Sequence, residues 1–165
     1  MRDPERIQDF AAWVPPEQRQ SRFGGPVGAR AAETRRPLYR LISVSGENAD
    51  ELFFVNETDE TLHHVATFTG GFITADDEAL ALPEASVVYR DVLPHEGVKV
   101  AAYDGYYDLD YVFQLRFEVS SDRQGTWRIV PPAKKGGIPA QELLWDDGSP
   151  GRRVDAEQRT PGAMT

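Results

Sequence analysis

The chain reads as an all-β protein: an antiparallel sandwich of seven strands, with a short N-terminal helix before it and irregular tails. Three observations carry that reading. Tyr111–Ser120 (Y-V-F-Q-L-R-F-E-V-S) puts Tyr111, Phe113, Leu115, Phe117 and Val119 on one face and Gln114, Arg116, Glu118 and Ser120 on the other. Strict period-two alternation over that length marks a half-buried antiparallel strand, not a helix. Burying such side chains is worth about 1.5–3 kcal/mol each, so this strand calls for a second apolar layer. Further short runs, spaced at about ten residues and parted by turn signals, argue for a sandwich or barrel over βαβ units. Finally, 165 residues with 40% hydrophobic and 27% charged content suffice for one core-bearing domain.

Taken in order, residues 3–14 suit a short amphipathic helix. Asp3 is a capping residue, Pro4 fits the first helical position, and Ile7, Phe10, Ala11 and Val14 share one face. Pro15-Pro16 stop it. A helix this short is marginal in water, so it must lie on something, either its own domain or a partner, and Trp13 is the natural anchor. Residues 15–36 read as a linker, which makes 1–36 a helical leader.

Strands follow from Pro37. Leu38–Val44 alternates, Gly46-Glu47-Asn48 turns, and Leu52–Val55 returns. Asn56–Glu60 is a polar turn that either closes a hairpin or crosses between sheets. Leu62–Thr69 is the third strand, after which Gly70-Gly71 lead into a long acidic loop bearing Asp76, Asp77 and Glu78. Ser86–Val92 and Val98–Ala102 are the fourth and fifth. The sixth is Tyr111–Ser120, and Asp122–Gly125 is a hairpin turn into Trp127–Val130. The sandwich spans 37–133. Residues 134–165 form a C-terminal extension with one apolar patch, Ala140–Trp145, as a helical turn or edge strand, and a polar, frayed end from Asp146.

Charge and composition narrow the functional classes. Residues 1–36 hold 7 Arg and 5 acids, a balance of +2, whereas residues 37–165 hold 11 basic and 22 acidic residues, a balance of −11. An acidic body repels phosphate backbones and anionic lipid, so neither nucleic acid nor a membrane is the expected partner. With no cysteine, disulfides, thiol catalysis and cysteine-bearing zinc sites are excluded. The N-terminus lacks an apolar signal region, which points to a cytoplasmic location.

The segment F-V-N-E-T-D-E-T-L, the stretch V-L-P-H-E-G-V-K-V and Tyr111 at the opening of the sixth strand resemble bacterial immunoglobulin-like adhesion and binding modules. The resemblance covers a little over half the chain. It implies an immunoglobulin-like sandwich, a tyrosine corner at Tyr111, and a binding or spacing role without enzymatic activity. The Cys…Trp…Cys core of antibody domains is missing.

In that strand order alternate connections meet at one end, bringing together Glu47, Asp50, Asp76, Asp77, Glu78, Asp104, Asp108 and Asp110. Carboxylates from several loops are what calcium requires, although the spacing lacks EF-hand regularity and acidic loops are commonly just solvated. Tyr106 and Tyr107, beside Gly105, are candidate contact anchors, while Tyr103 and Tyr111 read as framework. His63 and His64 point to opposite faces and cannot share a metal; His95 stands in a turn. No nucleophile elbow or phosphate-binding loop occurs. The expectation is a non-enzymatic protein-interaction module without a cofactor. The alternatives are a calcium- or carbohydrate-binding sandwich using the acidic loop end, and an acidic mimic of nucleic acid.

Overall fold

The computed structural model describes residues 6–8, 34–45, 50–75, 78–81, 85–103, 111–132, 134–135 and 140–159. Among these lie β1 (Arg6–Ile7), β2 (Pro37–Ser45), β3 (Asp50–Asn56), β4 (Leu62–Ala75), β5 (Glu78–Ala81) and β6 (Ala85–Val92). They are followed by β7 (Gly97–Tyr103), β8 (Tyr111–Ser121), β9 (Gly125–Val130), β10 (Lys134–Lys135), β11 (Gln141–Trp145) and β12 (Asp155–Arg159). All pairings are antiparallel. One sheet runs β1-β7-β3-β2-β11. The other runs β12-β9-β8-β4-β5, with β6 beside the first half of β4 and β10 beside the start of β8.

The two sheets share one apolar core in a sandwich-like arrangement. Tyr39, Leu41, Leu52, Phe54, Val98 and Val100 from the first sheet meet Val65, Tyr89, Leu115, Phe117, Val119, Trp127 and Ile129 from the second. Phe54 lies at the seam, its ring centroid 5.3 Å from Tyr39 and 5.4 Å from Phe117 in tilted contacts. In β8 the expected alternation holds wherever side chains are described: Leu115, Phe117 and Val119 are buried, with Gln114, Arg116, Glu118 and Ser120 half-buried between them. Asn56–Glu60 crosses between the sheets, from β3 to β4. Gly125 closes the β8–β9 hairpin at φ +69°, a backbone region that glycine enters without steric cost.

Several expectations need correction. Periodicity predicts β2, β3, β4 and β6 through β9 but misses β1, β5, β10 and β12, so seven strands is too few. The helix expected over residues 3–14 fails at its described residues, because Arg6–Ile7 is a strand on β7, pairing Arg6 with Val98 and Ile7 with Gly97. A helix of only about three turns is marginal in water and is worth little against an open sheet edge with backbone partners waiting. The loop expected after Thr69 is instead a continuation of β4 through Gly70-Gly71, paired to Gln114 and Phe113, and Glu78 opens β5. Two glycines in a row hide a strand from propensity, yet unbroken pairing with β8 holds them extended, between the β6 pairing that ends at Thr69 and the β5 pairing that starts at Phe72.

At the C-terminal end, the Ala140–Trp145 patch is an edge strand on β2. Residues 155–159 are not frayed, since β12 adds to β9 from Asp155↔Val130 to Arg159↔Thr126. D-A-E-Q-R carries no apolar alternation because a sheet edge needs none. Gly151 belongs to the same packing. A Cβ there would come within 1.8 Å of the Glu142 carbonyl oxygen, so only glycine lets the segment lie on β11. Finally, the alternation that groups Val98, Val100 and Ala102 on one face breaks in β7: Ala101 packs on the core, because a bulge between Leu52 and Phe53 pairs them with Ala101 and Lys99 and reverses the phase.

Candidate functional site

Trp13, Asp76, Asp77, Asp104, Tyr106, Tyr107, Asp108 and Asp110 all lie outside the described residues. Tyr103 ends β7 and Tyr111 opens β8, with their side chains likewise outside the description. Among the described residues no group of three or more His, Asp or Glu is placed to hold a metal ion. No helix among them is long and apolar enough to cross a membrane.

The described polar chemistry gathers where the chain passes from β3 to β4 and from β6 to β7. Asn56, fully buried, is the junction. Its Nδ2 donates to the carbonyls of Glu60 at 2.8 Å, Leu93 at 3.1 Å and Val92 at 3.3 Å. Its Oδ1 accepts from Thr58 N at 3.0 Å and Thr58 Oγ1 at 2.6 Å, an Asx-type turn. Its main chain donates to Glu96 O and accepts from His95 N, which stitches both connections together. One side chain thus bonds backbone groups of both connections and the end of β6, with Thr58 Oγ1 sharing the Glu60 carbonyl and Glu96 N sharing that of Leu93.

Around this junction stand two buried carboxylates, each facing an arginine. Glu57 Oε1 accepts from Arg40 Nε at 2.7 Å, and its Oε2 lies 4.0 Å from His95 Nδ1. Glu96, only 1% exposed, accepts through Oε1 from Leu93 N at 3.1 Å and from Arg6 Nη1 at 3.0 Å. Farther out, Glu60 accepts from Ser121 Oγ and Arg123 N, Arg123 reaches Asp59 at 2.5 Å, and His63 meets Asp122 at 2.6 Å. Hydrogen bonding by Arg123, and then its charge, lowers the Asp59 pKa. Tyr39 differs from all of these. Its buried hydroxyl has no hydrogen-bond partner of good geometry. Burial first, and the Glu60 carboxylate second, push the phenol well above its ordinary value, against the opposing pull of nearby Ser121.

Among the described residues no pairing joins β6 to β7, and side chains span the gap between them. Tyr89 OH, from β6, donates to the Lys99 carbonyl of β7. Arg6 spans the gap from β1, with Nη2 donating to Arg90 O at 2.6 Å and Nη1 to Asp91 O at 3.3 Å, and its guanidinium carbon 5.4 Å from the Tyr89 ring centroid. Side chains of Val88, Leu93 and Ile7 stand exposed along this side, at 50%, 43% and 41%. Sequence reasoning missed it because Arg6 and Glu96 are 90 residues apart and neither belongs to a motif. The one local clue is Leu93–Gly97, read as a turn, where a glutamate precedes a glycine and a strand.

No family model matches the sequence, and no curated protein and no solved structure is significantly similar to it.

Proposed function

We propose that this chain is a non-enzymatic protein-interaction module built on an immunoglobulin-like sandwich. The strand order supports the architecture. β2-β3-β7 in one sheet and β4-β8-β9 in the other follow the A-B-E and C-F-G orders of immunoglobulin domains, with β1, β11 and β12 as additions at the edges. The observation that carries the binding role is the β6–β7 side. There β6 has β4 on one edge and no strand on the other among the described residues, beside exposed Val88 and Leu93. An edge strand flanked by apolar side chains is a common seat for an extended partner. A non-enzymatic reading fits the polar groups as well, since the Asn56 side chain bonds to backbone and Thr58, Glu57 to Arg40, and Glu96 to Arg6 and Leu93 N.

The test is affinity capture from native lysate with the whole chain immobilised, in parallel with Val88→Glu/Leu93→Glu and with Arg128→Glu on the outer face of β9. A stoichiometric partner held by the parent and the β9 variant but lost by the double variant is the expected result. Equal retention by all three moves the contact elsewhere, and no partner with any of them sinks the reading.

A further inference from the structure

We propose that the groove between β6 and β7 is a docking site for an extended, arginine-bearing strand of a partner protein, and that β1 is an internal stand-in for that strand. This rests on the interaction-module reading and names the surface and the partner's chemistry.

The receptor half of the contact belongs to the body of the fold. Glu96 Oε1 and the carbonyl oxygens of Arg90 and Asp91 converge on one guanidinium, with the face of Tyr89 beside it. Three acceptors spread over two nitrogens, together with an aromatic face, match the planar donor fork of arginine and not the point charge of lysine. Glu96 is positioned for this by its bond from Leu93 N and by the main-chain bonds that tie its turn to Asn56. The body also carries the balance of −11, which draws a cationic segment toward it.

The occupant is held far less firmly than the receptor. β1 pairs through two residues only, the Arg6 side chain remains 35% exposed, and residues 8–36 separate it from β2. Tyr89 OH occupies the Lys99 carbonyl, so a strand added here pairs at Gly97–Val98 and stops. Recognition then depends on the arginine more than on strand length. The expected ligand is an arginine followed by a β-branched apolar residue, running antiparallel to β7, with Leu93 beside it. The chain's own segment competes at the effective concentration of a tethered ligand, on the order of millimolar.

The probe is a labelled peptide of residues 1–10, titrated onto the complete chain and onto the complete Arg6→Ala chain. The Arg6→Ala chain should bind it saturably, one to one, and at least tenfold more tightly than the parent. Binding should fall at least tenfold when the peptide carries Arg6→Lys, or when the protein carries Glu96→Gln as well. No saturable binding to a cooperatively folded Arg6→Ala chain, or indifference to the lysine peptide, overturns the proposal. Should Arg6→Ala fail to fold, native-state hydrogen exchange on the parent decides. Opening of Arg6–Gln8 well below the global unfolding limit supports the proposal, and exchange of those amides only through global unfolding overturns it. A dimer of the parent that Arg6→Ala abolishes assigns the groove to a second copy and overturns the foreign partner. Failure of the peptide with success of the lysate capture defeats this groove alone; binding of the peptide with no captured partner defeats the module reading.

Discussion

Glu57 and Glu96 lie on either side of the same junction, both buried, both facing an arginine, yet their partners differ in kind. Arg40 comes from β2, a strand paired on both edges by β3 and β11, and its own side chain is mostly buried. Arg6 comes from a two-residue strand at the end of a sheet and is exposed along much of its length. The first pair is locked inside the scaffold, whereas the second sits on a segment able to leave and admit water in its place. A buried ion pair therefore does not by itself report a permanent joint. What matters is whether the loss of one partner strands the other charge away from solvent.

The largest effect should come at the junction between the two pairs. Asn56→Ala removes a donor to three carbonyls and the acceptor for Thr58 at a fully buried position, and should cost about 3 kcal/mol by denaturant unfolding. Arg40→Ala should follow at about 2 kcal/mol, because Glu57 stays buried beside it; Glu57→Gln/Arg40→Met should recover much of the loss. Arg6→Ala should cost under about 1 kcal/mol, since departure of β1 lets water reach Glu96. It should instead speed amide hydrogen exchange at Ile7 and Gln8. Equal losses for Arg6→Ala and Arg40→Ala would erase the contrast between the two pairs.

The smallest effect at neutral pH should be Tyr39→Phe, within about 0.5 kcal/mol of the parent, because the hydroxyl removed makes no hydrogen bond of good geometry and has only the weak pull of nearby Ser121 to lose. Its pH dependence carries the information. The folded-state pKa is raised, so the folded chain retains a proton that the unfolded chain releases. Tyr39 thus adds nothing to the pH dependence below the ordinary tyrosine value, and stability falls as pH rises through about 10. Tyr39→Phe should flatten that alkaline decline in urea midpoints measured between pH 9 and pH 11. An unchanged slope would mean that the phenol ionises as freely in the fold as in the open chain.

Legibility from sequence followed the side chains that carry burial. Leu115, Phe117 and Val119 announce β8, and the β8–β9 hairpin follows from Asp122–Gly125, because alternation and turn chemistry are local properties. The Asn56–Glu60 turn was legible as a turn but not as a crossing, since nothing in N-E-T-D-E states which sheet receives the next strand. The site was less legible still. Asn56 reads as a turn residue, and Glu96 as a polar residue in a turn; their burial is conferred by segments 36 to 90 residues away.

The sequence alone determined an all-β chain, its main strands and the acidic balance of its body, because hydrophobic periodicity and charge are written residue by residue. Tertiary structure decided what periodicity cannot encode. It made Arg6–Ile7 a strand, carried β4 through two glycines, reversed the phase of β7 at a bulge and recruited the polar β12. In each case the deciding term is a backbone hydrogen bond to a neighbouring strand. Every residue but proline can donate such a bond, so nothing in the amino-acid pattern marks where it will form.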